Sequence, residues 1–254
     1  MKLIIDTDAA TLQQFAAGSQ NTYPLFSKEA FELLSLQWVR VGWSLRYYHN
    51  FSWCGHPILQ LPEDLLRLQE VIFQVRPKVI IETGVYQGGS LLFHATLLNT
   101  IGGGKVIGID RTIAPQLRES IAAHPLGSMI ELFEADSTSP EIVTQVQRSI
   151  PPDAPVLVIL DSGHSKAHVA QELECYAPLV TPGSYIIATD GIMADLHDVP
   201  GGQPEWKSDN PQTAANEFAA RHPEFQQAQP KWLFHDGPIT ENVTYWPGAW
   251  MRCR

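Results

Sequence analysis

Five acidic side chains in this sequence follow short apolar runs at nearly constant spacing. They are Glu82, Asp110, Asp136, Asp161 and Asp190, separated by 28, 26, 25 and 29 residues. Each interval suits one strand followed by one helix. The carboxyl ends of parallel strands meet at one edge of a sheet, where ligands bind, so we expect the five carboxylates to line one site. Acids also cap helices, but five in succession favour a ligand site.

The turn after the first of these acids is rich in glycine. Gly84, Gly88 and Gly89 precede Ser90, and Glu82 lies two residues before the first glycine. Glycine lets the backbone approach a ligand closely, and a helix N-terminus offers free N–H groups to an anion. The spacing differs from the G-x-G-x-x-G of dinucleotide sites, and an acid there would repel a pyrophosphate but attract an ammonium group. The turn therefore favours S-adenosylmethionine, whose tail carries an ammonium and a carboxylate.

In the layout of a class I methyltransferase, each of the first three strand ends faces one part of that cofactor. Glu82 faces the ammonium group, and N–H groups near Gly88–Ser90 bind the carboxylate. Asp110 accepts from the ribose hydroxyls, while Asp136 lies near the adenine amino group with Ser137 beside it. A dinucleotide site also requires an acid after the second strand, so that alternative stays open. The predicted cofactor ligands are Glu82, Gly84, Gly88, Ser90, Asp110, Asp136 and Ser137.

A second candidate centre lies at the ends of the last two predicted strands. Asp161 is followed three residues later by His164, and Asp190 ends the neighbouring strand. Two carboxylates together with water suit a hard cation such as Mg²⁺. The imidazole could serve as a base beside the cation, or it could cap the next helix. We therefore predict that Asp161 and Asp190 are metal ligands.

The pattern of apolar runs predicts the elements that position these residues. Short runs without alternation are typical of buried parallel strands, and helical patterns lie between them. The chain is therefore expected to form an α/β fold, a doubly wound, mostly parallel Rossmann-like sheet. The predicted strands are Lys78–Glu82, Lys105–Asp110, Met129–Asp136, Val156–Asp161 and Ser184–Asp190.

The segments on either side of this sheet are predicted with less regular patterns. Residues 28–49 and a segment starting at Pro62 read as helices, so residues 1–77 are expected to be a helical N-terminal extension and residues 78–254 the methyltransferase domain. After Asp190 a long irregular segment suggests a lid. A helix at 212–221 and late strands near 231–236 and 249–253 are expected to complete the domain.

Composition narrows the possible partners and compartment. The chain has 254 residues with 27 acids against 17 bases, whereas a general nucleic-acid binder or a protein held on anionic lipid would be basic. No apolar run is long enough for a membrane span, and the N-terminus does not resemble a secretory signal. Three cysteines form no disulfide or zinc pattern. We expect a cytoplasmic protein without nucleic-acid partners.

The stretch from Trp53 to Asp190 resembles the cephalosporin hydroxylase family, which includes rhamnosyl O-methyltransferases. The resemblance rests on WCGHPILQLPEDLLRLQEVIFQVRPKVIIETGVYQGGS, GKVIGID and ILDSGHSKAHVAQELECYAPLVTPGSY. The magnesium-dependent macrolide sugar O-methyltransferases are similar in the D-x-x-H at Asp161–His164. What the resemblance implies is a class I methyltransferase fold, S-adenosylmethionine, a divalent cation and a homo-oligomer.

The resemblance also implies roles for individual residues. Asp161 and Asp190 fall on the family's metal-ligand positions, and His164 falls on the position of the general base. One departure is that Thr189 replaces the glutamate that usually precedes the last acid, so a loop acid such as Asp195 or Asp198 would have to substitute, or the cation would bind more weakly.

The expected activity is S-adenosylmethionine-dependent, metal-assisted O-methylation of a sugar or glycosylated small metabolite. A cation that binds two neighbouring hydroxyls lowers their pKa, and a histidine beside it takes the proton. Two alternatives remain at this point. One is a component of β-lactam hydroxylation or methoxylation, and the other is a non-catalytic partner subunit that binds the cofactor.

Overall fold

The computed structural model describes residues 1–16 and 18–254. The chain begins with an antiparallel sheet of three strands, β1 (Lys2–Asp6), β2 (Thr11–Ala16) and β3 (Ser19–Pro24). The expectation of a helical extension is therefore wrong for this part. Asp6 closes the first turn by accepting from the backbone N–H groups of Asp8 and Ala9, at 3.1 and 2.8 Å. Such side-chain-to-backbone bonds favour a turn over a helix.

The remainder of the N-terminal segment is helical, as predicted. The elements are α1 (Lys28–Ser44), a 3₁₀ helix (Tyr47–Asn50), the short strands β4 (Ser52–Trp53) and β5 (His56–Pro57), and α2 (Pro62–Val75). The Ser27 hydroxyl caps α1, and Pro62 occupies the first turn of α2. The first helix ends five residues earlier than predicted, because Arg46 adopts a left-handed conformation with φ of 56°.

A sheet of seven strands forms the centre of the molecule. In chain order the elements are β6 (Val79–Thr83), α3 (Gly89–Thr100), β7 (Lys105–Asp110), α4 (Pro115–Ala123), β8 (Ile130–Glu134), α5 (Pro140–Ser149), β9 (Val156–Leu160), α6 (Lys166–Tyr176), β10 (Tyr185–Ala188), α7 (Pro211–Arg221), β11 (Phe225–Gln227) and β12 (Trp250–Cys253). The strand order is β11-β12-β10-β9-β6-β7-β8. Strands β6 to β10 run parallel, and β12 runs antiparallel between β10 and β11. The predicted mostly parallel sheet is confirmed.

Helices cover both faces of this sheet, so its central strands are buried on both sides. Every residue of β6 and of β9 is buried. One face packs against α1 to α4 through Val39, Leu68, Leu91, Leu117, Ile80 and Leu157. The other packs against α5 to α7 through Ile142, Leu173, Phe218, Ile81 and Val158. Because the helices before residue 77 share a core with the sheet, the proposed domain division at that residue stays a prediction.

The C-terminal third differs from its prediction in two places. Residues 231–236 form no strand, and β12 pairs instead with β11, which the sequence pattern did not indicate. The segment after Asp190 holds two 3₁₀ helices, Gly191–Asp195 and Pro204–Lys207. Within the residues described, no helix combines the length and the apolar composition that crossing a membrane requires.

Candidate functional site

A cavity of about 790 Å³ lies at the carboxyl ends of the parallel strands. Residues after β6, β7, β8, β9 and β10 form most of its wall, and the segments before β4 and α2 close it from the N-terminal side. The lining includes Tyr48, His49, Gln60, Gly84, Ser90, Asp110, Arg111, Ser137, Asp161, Ser162, His164, His168 and Asp190. This is the edge where the spacing of the acids predicted a site.

The three residues of the predicted metal centre meet at this edge. One ligand atom from each of Asp161, His164 and Asp190 lies within 4.8 Å of the others, and His164 Nε2 is 3.5 Å from Asp190 Oδ2. Parallel pairing of β9 with β10 brings the two aspartates to adjacent strand ends. His164 does not cap the next helix, because the Ser165 hydroxyl is the cap and accepts from the backbone N–H of His168. The imidazole is therefore left beside the two carboxylates.

Two neighbours hold the Asp161 carboxylate in place. Gln60 donates to Oδ2 at 2.7 Å, and the Thr189 hydroxyl lies 2.6 Å from Oδ1. Thr189 is buried and orients Asp161 from behind. Asp195 and Asp198, the loop acids that could have replaced the missing glutamate, are not part of this cluster. Asp198 pairs with Arg40 at 2.6 Å, and Asp195 is exposed. Position 189 therefore carries a hydrogen-bond donor, Thr189, where a charged glutamate was expected.

The charges of the two aspartates oppose each other. Burial, followed by repulsion from Asp190, raises the pKa of Asp161 well above its usual range. Burial also raises the pKa of Asp190, and the nearby His164 opposes that shift. A divalent cation would relieve this repulsion, and the oxygens of two carboxylates are ligands that fit it.

The glycine turn packs directly against the metal-site turn. Gly84 has a φ of +89°, and a Cβ built on it would lie 2.0 Å from the carbonyl oxygen of Asp161. Only glycine allows this approach. Gly88 also has a positive φ, of +78°. It does not line the cavity, whereas the next two residues, Gly89 and Ser90, do.

Glu82 and Asp110 both form hydrogen bonds with the glycine turn. Glu82 is buried outside the lining, and the Ser90 hydroxyl donates to it at 3.0 Å. Glu82, which is predicted to face the ammonium group of the cofactor, is thus separated from the cavity by Ser90. Asp110 does line the cavity, and its Oδ2 accepts from the N–H groups of Val85 and Tyr86 at 2.8 and 3.2 Å. These bonds fix the turn, and among the described residues Oδ1 accepts only from the Thr112 N–H, at 3.2 Å.

Asp136 is not among the residues that line the cavity. Its Oδ1 accepts from the N–H and hydroxyl groups of Thr138 at 3.0 and 2.7 Å, and its Oδ2 accepts from Arg111 at 2.9 Å. These bonds, the Thr138 N–H first, lower the pKa of Asp136 to about 2. The local turn captures the carboxylate because a backbone N–H two residues on is always within its reach. Ser137, predicted beside it, lines the cavity.

Several lining residues carried no signal in the sequence. Tyr48 and His49 come from the 3₁₀ helix, and Gln60 reaches Asp161 across 101 positions of the chain. His168 Nε2 lies 2.9 Å from the Ser162 hydroxyl. Residues so far apart in the chain are brought together only by the packing of the N-terminal helices on the sheet.

Comparison with known proteins gives one matching family over most of the chain. Residues 45–252 match the family described as rhamnosyl O-methyltransferase/CmcI. A curated rhamnosyl O-methyltransferase of Mycobacterium leprae (strain TN) is 34% identical over 152 residues, which are 57% of this chain and 64% of that protein. The chain therefore spans less than two thirds of the length of this relative.

Solved structures share the fold. A structure of CmcI with Mg and SAM has a TM-score of 0.53 at 18% identity and covers 81% of this chain and 77% of that one. An O-methyltransferase from Bacillus cereus in complex with SAH has a TM-score of 0.51 at 15% identity, covering 78% of this chain and 87% of that one. At these identities the likeness concerns the architecture.

Proposed function

Since this chain belongs to the rhamnosyl O-methyltransferase/CmcI family, we propose that it transfers a methyl group from S-adenosylmethionine to a hydroxyl oxygen of a sugar or glycosylated small metabolite, with help from a divalent cation. The observation that carries the proposal is the meeting of Asp161, His164 and Asp190 within 4.8 Å, at the edge of a cavity that the glycine turn also lines. A cofactor turn and a cation cluster in one cavity are what such a reaction requires.

The residues present fit the cofactor. The N–H groups at the start of α3 suit its amino-acid carboxylate. The free lone pairs of Asp110 Oδ1 suit a ribose hydroxyl, and Ser137 lines the cavity beyond them. When bound, the cofactor supplies an electrophilic methyl group. The chain's contribution is to hold it in one orientation toward the acceptor.

His164 is the residue that takes the proton of the acceptor hydroxyl. A free hydroxyl has a pKa far above 7, so it must lose its proton as it attacks. The imidazole lies next to both carboxylates, so a base stands where Asp161 and Asp190 would hold a cation and the acceptor oxygen. The cation would lower the pKa of the hydroxyl, and the base would complete its deprotonation.

The acceptor class follows from the named relative and from the site. The curated relative is a rhamnosyl O-methyltransferase, and a cation held by two carboxylates can bind two neighbouring hydroxyls of a sugar. The β-lactam hydroxylation alternative is weaker, because the cluster holds one histidine and two carboxylates rather than the two histidines and one carboxylate of iron oxygenases.

We also retain the expectation of a homo-oligomer. Phe31, Trp38, Val41 and Leu45 are exposed apolar residues of α1 or its end, and their spacing places them along one side of the helix. A second copy of the chain is a suitable partner for such a surface. Light scattering of the purified protein measures this directly.

Two measurements test the proposed function. Calorimetry should show binding of S-adenosylhomocysteine and no binding of NAD. Incubation with labelled S-adenosylmethionine and a panel of methyl glycosides, including a rhamnoside, should label an acceptor, and exhaustive chelation should stop the reaction until Mg²⁺ or Mn²⁺ is added. Tight binding of NAD, or full transfer after chelation, would contradict the cofactor or the cation respectively.

A further inference from the structure

A buried carboxylate lies behind the wall of the cavity. Glu172 of α6 is fully buried, and its Oε1 lies 2.6 Å from the Ser137 hydroxyl and 2.7 Å from the Ser162 hydroxyl. Its Oε2 is buried and has no hydrogen-bond partner among the described residues. Both serines line the cavity. A buried carboxylate is costly to maintain, so its two hydroxyl contacts call for an explanation.

The carboxylate fixes the direction of both hydroxyl bonds. Oε1 accepts from both hydroxyls, so each serine donates its single hydroxyl proton to Glu172. Each serine can then offer only lone pairs to the cavity. Ser162 already has His168 Nε2 at 2.9 Å, and Glu172 raises the pKa of His168 through its hydrogen bond. Ser137 is therefore the hydroxyl that keeps both lone pairs available to accept from a ligand.

We propose that Glu172 is a positioning residue that makes Ser137 a hydrogen-bond acceptor for the exocyclic amino group of adenine. The inference rests on the proposed function, in which the cavity binds an S-adenosyl cofactor. Asp136 was the expected partner of that amino group, but it bonds to Thr138 and Arg111 instead. Hypoxanthine has a carbonyl at the same position. Its oxygen lone pairs would face those of the Ser137 hydroxyl, so it would bind more weakly.

The test compares two ligands that differ only at this position. Calorimetry measures the dissociation constants of S-adenosyl-L-homocysteine and S-inosyl-L-homocysteine. The protein should bind the adenosyl compound about 5- to 150-fold more tightly, the factor that corresponds to one mismatched buried hydrogen bond. In Glu172→Leu, the Ser137 hydroxyl is free to rotate and donate, so the ratio should fall toward one as binding of the inosyl compound improves.

A control and a second variant separate this role from a structural one. Glu174→Leu changes an exposed acid on the same helix and should keep the ratio of the unsubstituted protein. If Glu172→Leu does not fold, Ser137→Ala removes the acceptor with Glu172 intact, and it should weaken binding of the adenosyl compound but not of the inosyl compound. An unchanged ratio in these variants overturns the inference alone. Failure of the unsubstituted protein to bind S-adenosylhomocysteine overturns the proposed function and the inference together.

Discussion

Asp161 is the residue at which several of the site's contacts meet. Gln60 and Thr189 bind its two oxygens, Gly84 packs on its carbonyl, and Asp190 repels its charge. Its position is thus fixed from behind while the side toward His164 remains open. A carboxylate held in this way against repulsion can bind a cation without having to reorient.

The exchange of Thr189 for valine tests that support. Valine has nearly the same shape but cannot donate to Asp161 Oδ1, so affinity for Mn²⁺ should fall about 10- to 100-fold, as is usual when a partner of a metal ligand is lost. Titration calorimetry measures the affinity. Thr189→Ser keeps the hydroxyl and is the matched control. Equal affinity of the valine and serine variants would show that the hydroxyl does not position the ligand.

The role of His164 is tested by its replacement with alanine. The kcat for methyl transfer should fall about 10²- to 10⁴-fold, because the acceptor loses its base. Affinity for S-adenosylhomocysteine and the melting temperature should hardly change, since Ser165 rather than His164 caps α6. A His164→Asn variant with normal kcat would contradict the assignment.

The elements bring these residues together through a contact between two turns. The turn after β6 and the turn after β9 touch at Gly84 and Asp161, on adjacent parallel strands. Any side chain at position 84 would push the strand ends apart. The cofactor and cation sites therefore depend on one glycine.

Gly84→Ala should lower the free energy of unfolding by about 3 kcal/mol or more, because it adds a clash with the backbone to the strain of a positive φ. Gly183→Ala is the matched control. Gly183 has a similar φ of +84° with no atom within 4 Å of a built Cβ, so it should lose only about 1–2 kcal/mol from the strain. Urea unfolding measures both, and equal losses would refute the proposed clash.

Elements with strong local sequence signals were predicted accurately, and elements with weak signals were not. The five parallel strands lie within two residues of prediction at their ends, because their apolar runs are continuous. The three N-terminal strands are short and half-exposed, so their pattern is weak. Gln60 and Tyr48 reach the cavity, and Glu172 reaches the serines of its wall, only through packing, which one-dimensional patterns do not record. The bonds of Asp136 to Thr138 and Arg111 could not be predicted either, because the sequence does not show which way a strand-end carboxylate turns.

At the level of the whole molecule, a buried acid ties the N-terminal half to the C-terminal segment. Asp64 at the start of α2 accepts from the Thr244 hydroxyl and, at 2.8 Å, from the Tyr245 N–H. It is 2% exposed, and burial raises its pKa to about 8. This contact joins segments 180 residues apart in the chain, so its protonation state affects the stability of the entire fold.

The stability contribution of Asp64 should fall as the pH rises. Between about pH 4 and pH 8 the folded state keeps a proton on Asp64 that the unfolded state releases, so unfolding becomes easier as the pH increases through this window. The urea midpoint should therefore drop from pH 5 to pH 8.5, and it should drop less in Asp64→Asn, which mimics the neutral acid. Glu63→Gln, at the exposed neighbouring position, should follow the unsubstituted protein. Parallel curves for Asp64→Asn and Glu63→Gln would disprove this coupling.

The contact between Gly84 and the Asp161 carbonyl also has a thermodynamic meaning. Two turns that touch without an intervening side chain cannot shift independently, so a ligand that settles one turn also changes the free energy of binding at the other. Linkage requires this effect to be reciprocal. If a bound cation raises the affinity for the nucleoside by some factor, the bound nucleoside raises the affinity for the cation by the same factor. In a cell the two concentrations would together determine what fraction of the protein is ready to react.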